Sequence, residues 1–197
     1  MSQLHREYFN QLSGQWNDMV QLEMDLQAHL IEFGVKANDR VLDVGAGTGR
    51  LTCQIASLVG VDGKVLAVDI ANEMLQKVDR SNKNTICLCS DACYNALKNE
   101  LFDKIICFST FPHILNQTLA LNEFYRLLKP NGKLLIFHTK CSRQLNTFHH
   151  DLNDVVCHDE LPKADMLEQM AKSAGFVSQK TVEHPELYWV ECSKSKN

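Results

Sequence analysis

The sequence predicts an α/β fold built on a mainly parallel sheet, and three observations carry that expectation. Short apolar strands alternate with helical stretches from residue 40 to about 140. The first strand, Arg40–Val44, runs into a turn with glycines at 45, 47 and 49 and then into a helix. The last elements are strand-like segments at Phe176–Val182 and Leu187–Cys192, joined by His184-Pro185-Glu186, which reads as an antiparallel hairpin.

Taken in order, residues 3–15 and 20–33 read as helices. Leu22, Leu26, Leu30 and Phe33 form the core-facing stripe of the second, and Gly34 ends it. A helix over about 50–58 follows the first strand, and Val61-Asp62-Gly63-Lys64 turns the chain into a second strand, Val65–Asp69. A helix is expected over about 71–80, a third strand at Thr85–Leu88 and a weak helix around 92–99. The fourth strand is Lys104–Phe108 and the next helix covers about 116–128. Pro130-Asn131-Gly132 turns into the fifth strand, Lys133–Thr139. Residues 163–173 form a last helix, closed near Gly175. Five parallel strands and the hairpin make seven. Right-handed crossovers place a ligand at the C-terminal strand ends.

At 197 residues the chain reads as one domain, with no visible repeat or linker. It divides into N-terminal helices over 1–34 that would form a lid, a cofactor-binding half over 35–140 and an acceptor-side segment over 141–197. A net charge of −4 gives no basic field for nucleic acid. Apolar runs such as Leu134–Phe137 are too short to span a bilayer, and the N-terminus lacks a signal-peptide core, so a cytoplasmic protein is expected. The eight cysteines then read as free thiols, most of them small core hydrophobes. Cys87, Cys89 and Cys93 do not have paired zinc spacing.

The glycine turn decides the cofactor. A dinucleotide fingerprint, G-x-G-x-x-G, would need glycine at 50, where Arg stands, and no Gly-Lys-Ser/Thr follows as in a P-loop. The pattern is D-x-G-x-G-x-G from Asp43 to Gly49. It resembles the first motif of the class I S-adenosylmethionine-dependent methyltransferases, and four more positions fit that family's register. Asp69-Ile70 ends the second strand and Asp91-Ala92 follows the third. Leu101–Ile106 and Leu127–Ile136 resemble its fourth-strand and fifth-strand segments. The closing antiparallel hairpin fits too.

The resemblance implies a Rossmann-like methyltransferase fold with S-adenosylmethionine as cofactor and S-adenosylhomocysteine as product. Asp43 would reach the amino end of the cofactor, and Gly45, Ala46, Gly47 and Gly49 would wrap it. Asp69 would accept from the ribose hydroxyls, followed by Ile70. Asp91 and Ala92 would face the adenine, and Ser109 would complete the site. Taken singly, Asp69 or Asp91 could cap a helix, and Asp43 could satisfy backbone N–H groups of the turn.

On the acceptor side, Ser109-Thr110-Phe111-Pro112-His113 is not the Asn/Asp-Pro-Pro-Tyr/Phe segment of many base and protein methylases, which points to a small-molecule acceptor. His113, His138, His149, His150 and His158 belong to segments expected at the site's mouth. His113, His149 and His158 are candidate catalytic residues, and the same three with Asp159 are candidate ligands of a divalent metal. They also read as solvated loop histidines. Tyr8, Phe9 and Trp16 would shield the cofactor or merely anchor the first helix. Two other functions compete. One is thiol-dependent, arsenite-like methylation through Cys89, Cys107, Cys141 and Cys157. The other is non-catalytic cofactor binding on the same fold.

Overall fold

The computed structural model describes residues 2–20 and 25–196, so Leu22 of the predicted stripe lies outside the described residues. Three helices open the chain: α1 (Gln3–Leu12), α2 (Trp16–Met19) and α3 (Leu26–Phe33). Asp25 caps α3 by accepting from the Ala28 N–H, and Gly34 ends it in the left-handed conformation, as the sequence implies.

The alternating core is β1 (Arg40–Val44), α4 (Arg50–Val59), β2 (Lys64–Asp69), α5 (Asn72–Leu75), β3 (Thr85–Cys89), β4 (Phe102–Phe108), α6 (Gln117–Leu127) and β5 (Leu128–His138). Then come α7 (Ser142–Asp151), α8 (Ala164–Ser173), β6 (Phe176–His184) and β7 (Leu187–Lys194). The seven strands form one sheet in the order β3-β2-β1-β4-β5-β7-β6. The first five are parallel; β7 runs antiparallel to β5 and β6.

Period-two alternation divides the core. Leu42, Val44, Ile105, Leu134 and Ile136 point to the face covered by α6 and α8. Val41, Val65, Ile106, Leu135 and Phe137 point to the face covered by α3 and α4. Asp43 shares the parity of Val41, so its carboxylate enters the α4 side, where Thr52 waits on the first turn.

Five expectations change. The helix expected over 20–33 starts only at Leu26, after the Asp25 cap. The helix expected over 71–80 lasts only from Asn72 to Leu75, because the Asp79 side chain accepts from the Ser81 N–H and hydroxyl and folds the chain into a turn. No helix forms over 92–99. Asp91 accepts from the Cys93 N–H and Asn95 from the Leu97 N–H, two local bonds that outcompete it. Pro130-Asn131-Gly132 lies within β5 rather than before it, with a register shift opposite it on β4 and Asn131 at φ +62°. The helix α7 had no counterpart in the periodicity. Its start is held from a distance, by Glu183 on β6 accepting from the Ser142 N–H and hydroxyl.

Candidate functional site

A cavity enclosing about 750 Å³ of empty space, its solvent mouth included, opens at the C-terminal ends of β1, β2 and β4. Its floor is the glycine turn. The Gly45 and Ala46 N–H groups donate to the Val68 carbonyl at 2.8 and 3.0 Å, tying the turn to the end of β2. Gly45 has φ +69°, and a Cβ there would lie 2.1 Å from Thr110 Cγ2 and Oγ1. Gly49 sits at φ +85° with a Cβ position 2.8 Å from Val78 Cγ1, so it spaces α4 from the segment after α5.

Two carboxylates face this turn, Asp43 buried and Asp69 half-buried. Asp69 accepts from the Gly47 N–H through Oδ2 and from the Ala71 N–H through Oδ1, each at 2.8 Å. A carboxylate has about four acceptor sites, so two bonds leave capacity on each oxygen. Burial raises the Asp69 pKa, against the pull of its backbone donors. Asp43 is 1% exposed and accepts from Thr52 Oγ1 at 2.6 Å. Burial pushes it up to about 7, the Thr52 bond opposing and the Asp69 charge adding to the rise.

The opposite wall comes from the N-terminal helices. Phe9, Trp16 and Val20 line the cavity. Polar ties hold them there. Thr48 Oγ1 donates to Asn17 Oδ1 at 2.7 Å, Arg50 donates to the Val20 carbonyl, and the Glu73 N–H donates to Asn10 Oδ1 at 2.9 Å. Ser109 and Thr110 close the side at the end of β4. Ser109 holds φ +52°, an uncommon value for a non-glycine residue.

His113 ends a 3₁₀ turn, Phe111–His113, and completes the wall. Its Nδ1 lies 2.6 Å from Asp159 Oδ2, and its ring packs edge-on to Phe9 and 5.1 Å from the ring of His149. Asp159 is buried. Burial would raise its pKa, but hydrogen bonds from His113 and His5 outweigh that and hold it at about 2. Asn146 on α7 pins the segment by accepting from the Leu161 N–H and donating to the Leu161 carbonyl. His149, also on α7, donates through Nδ1 to the Asp159 carbonyl at 2.8 Å, and burial lowers its pKa. His138, at the end of β5, is buried without a partner for Nε2 among the described residues. Burial drives it down to about 3, so the ring is neutral at pH 7.

Residues 42–136 match the family model described as a methyltransferase domain. A ubiquinone/menaquinone biosynthesis C-methyltransferase, UbiE, from Teredinibacter turnerae is 31% identical over 161 residues. That alignment covers 78% of this chain and 64% of the relative. UbiE from Pseudoalteromonas translucida is 30% identical over 172 residues, covering 73% of this chain and 68% of the relative. The chain belongs to the class I S-adenosylmethionine-dependent methyltransferase family. A crystal structure of an S-adenosylmethionine-dependent methyltransferase from Aquifex aeolicus superposes with a TM-score of 0.77 at 25% identity. It covers 93% of this chain and 97% of that one. The chain spans less than two thirds of the length of the first of these curated relatives.

In this methyltransferase-family chain, Asp43, Gly45, Ala46, Gly47, Asp69 and Ser109 all line the one cavity. Gly49, Ile70, Asp91 and Ala92 lie outside its wall. Ile70 and Ala92 are buried, and Asp91 closes the turn after β3 through Cys93. His113 and Asp159 come together, with His149 behind them. His158 does not join them: it is exposed and lines a second groove beside His150 and Lys163.

That arrangement does not support the metal reading of His113, His149, His158 and Asp159. The Asp159 carboxylate is occupied by His5 and His113, and His149 is turned to a carbonyl. Among the described residues no group of three or more His, Cys, Asp or Glu could hold a metal ion. The cysteines of the thiol reading, Cys89, Cys107, Cys141 and Cys157, form no such group among the described residues either. Cys107 is sealed in the core, its thiol pushed far up by burial, while Cys89 is exposed at the end of β3 and Cys141 caps α7. Sequence reasoning missed His5, Thr48, Thr52 and Thr110. Thr52 alone had a local signal, a hydroxyl on the first turn after a buried acid; His5 is 154 residues from its partner.

Proposed function

We propose that the protein transfers a methyl group from S-adenosylmethionine to a small-molecule acceptor that loses a proton. The observation that carries this reading is one cavity walled by the glycine turn and Asp69 on one side and by an Asp-oriented histidine, His113, on the other.

The donor set suits the cofactor. Asp69 keeps acceptor capacity for ribose hydroxyls beside a turn whose Gly45 leaves no room for a Cβ. Asp43 offers a buried carboxylate for the cofactor's ammonium group. Asp91 and Ala92 are assigned to the adenine end, after β3. When bound, S-adenosylmethionine supplies a methyl group on a positively charged sulfur. Phe9, Trp16 and Val20 then exclude water and help align the acceptor.

His113 is assigned as general base. An ionised Asp159 only accepts, so His113 Nδ1 carries the hydrogen and Nε2 holds the lone pair that takes the acceptor's proton. His149 supports Asp159 from behind. Hydroxylated aromatic rings belong in the acceptor screen, because the relatives near 30% identity are named quinone-biosynthesis C-methyltransferases.

Calorimetric titration with S-adenosylhomocysteine tests the cofactor assignment. Saturable micromolar binding is expected, with Asp69→Ala losing about 1.5–3 kcal/mol, the range for hydrogen bonds to a charged group. Unchanged affinity in that variant would remove the ribose assignment, and absence of binding in the parent protein would remove the reading as a whole. Acceptors are then screened with labelled S-adenosylmethionine.

A further inference from the structure

His5 lies on α1, far from the sheet in sequence, yet it is only 5% exposed. Its Nε2 stands 3.0 Å from both carboxylate oxygens of Asp159. On the ring's other side, Ser2 Oγ lies 2.7 Å from Nδ1 while accepting the His5 backbone N–H. An ionised carboxylate has no hydrogen to give, so Nε2 carries it. In the neutral ring Nδ1 then accepts from the Ser2 hydroxyl. Every donor in the chain Ser2–His5–Asp159–His113 therefore has an acceptor. Among the described residues, His5 is the hydrogen-bond partner of Asp159 Oδ1, whereas Oδ2 divides between His5 at 3.0 Å and His113 at 2.6 Å.

We propose that His5 is a positioning residue for the acceptor-side base: docking of α1 fixes the Asp159 carboxylate, and the fixed carboxylate holds His113 in its Nδ1–H form. The proposal rests on His113 being that base.

A buried carboxylate with one partner can turn about its own bond; a second donor on the far oxygen removes that freedom. Without His5, Oδ1 would be left buried and unpaired, and Asp159 would rotate or draw in water at the expense of its bond to His113. The other groups around His113 cannot take over. His149 is committed to the Asp159 carbonyl, His138 is buried and neutral, and Asp69 is held by Gly47 and Ala71 across the cavity. Tyr8, which also senses the Asp159 charge, is raised to about 12 by burial and by Asp154, and stays neutral. One turn along α1 from His5, Phe9 packs against His113 and lines the cofactor cavity. The same helix thus covers the cofactor and completes the base.

The test is nitrogen-15 imidazole spectroscopy on protein saturated with S-adenosylhomocysteine, recorded with rising pH until the His113 ring is neutral, with His113→Gln assigning the ring. His113 is expected in the single Nδ1–H form in the parent protein. His5→Ala should lose that single form while S-adenosylhomocysteine affinity stays within about twofold, since the Asn10, Asn17 and Arg50 ties remain. His5→Gln, whose amide still donates, should restore it. If His5→Ala does not fold, His5→Phe preserves the packing and removes the donor. A single Nδ1–H form that persists without His5, or fails to return with Gln, overturns the proposal and leaves the base intact. An Nε2–H form in the parent protein overturns the base itself.

Discussion

The two halves of the cavity are built by different means. The proposed cofactor side is made by a continuous piece of chain: Asp43 to Thr52 supply the buried acid, the glycine turn and the hydroxyl, and Asp69 closes it from the neighbouring strand. Its contacts are largely backbone. The proposed acceptor side, His113 and the groups behind it, is held by side chains from α1, the turn after β4, α7 and the loop before α8, brought together over 154 residues of separation. Strand register fixes the first. The second exists only when four elements have docked, so the two halves should fail independently.

The largest expected effect breaks the acceptor side alone. Asp159→Asn keeps the shape and removes the charge that orders His113. With an acceptor in hand, the rate of methyl transfer should fall by about 10²–10⁴-fold, the usual worth of a positioned base. S-adenosylhomocysteine affinity should hold, as Asp159 is outside the cofactor cavity wall. A rate unchanged in this variant would mean the acceptor needs no base. The complementary variant is Gly45→Ala, which asks a Cβ to occupy space 2.1 Å from Thr110 at a positive φ. Binding of S-adenosylhomocysteine should weaken by about 100-fold, about 2.7 kcal/mol, while the parent His113 tautomer survives in imidazole spectra. Parallel loss of both would show the halves to be one cooperative unit.

The same difference explains what the sequence disclosed. Strands β1 to β5, the hairpin and the glycine turn follow from apolar alternation and punctuation within ten or so residues, and the structure has them in the expected order. Asp43, Asp69 and Ser109, which the family resemblance assigns to the cofactor, line one cavity at the strand ends, where a parallel sheet gathers its loops. The histidines could be expected at the mouth, but not which would meet. His158 and Asp159 are adjacent in sequence, and the chain turns one to solvent and buries the other. His5 sits in a helix with nothing around it to mark a buried ring. The short-range bonds of Asp79, Asp91 and Asn95 that cut two expected helices were likewise invisible to periodicity, because they act through single side chains.

The smallest effect sharpens the comparison most, because Asp43 beside the glycine turn and His138 at the end of β5 are both buried and act in opposite senses. Asp43 has its pKa raised from 3.8 to about 7, so the folded state holds the proton more tightly; that stability is present below 3.8 and lost as pH rises toward about 7. His138 is lowered from 6.5 to about 3; its contribution is present above 6.5 and lost as pH falls toward about 3. Between about 4 and 6.5 the slopes oppose each other, each amounting to roughly 1.4 kcal/mol per pH unit where one proton separates folded from unfolded. Urea denaturation at pH 5, 6 and 7 separates them. Relative to the parent, Asp43→Asn should become more stable with rising pH, and His138→Phe less stable, at about equal and opposite rates. The Phe ring also removes a buried nitrogen that lacks a partner among the described residues, so it should not cost stability at pH 7. Shifts of the same sign in both variants would mean that one of the two groups is hydrated in the folded protein while the other is sealed from water.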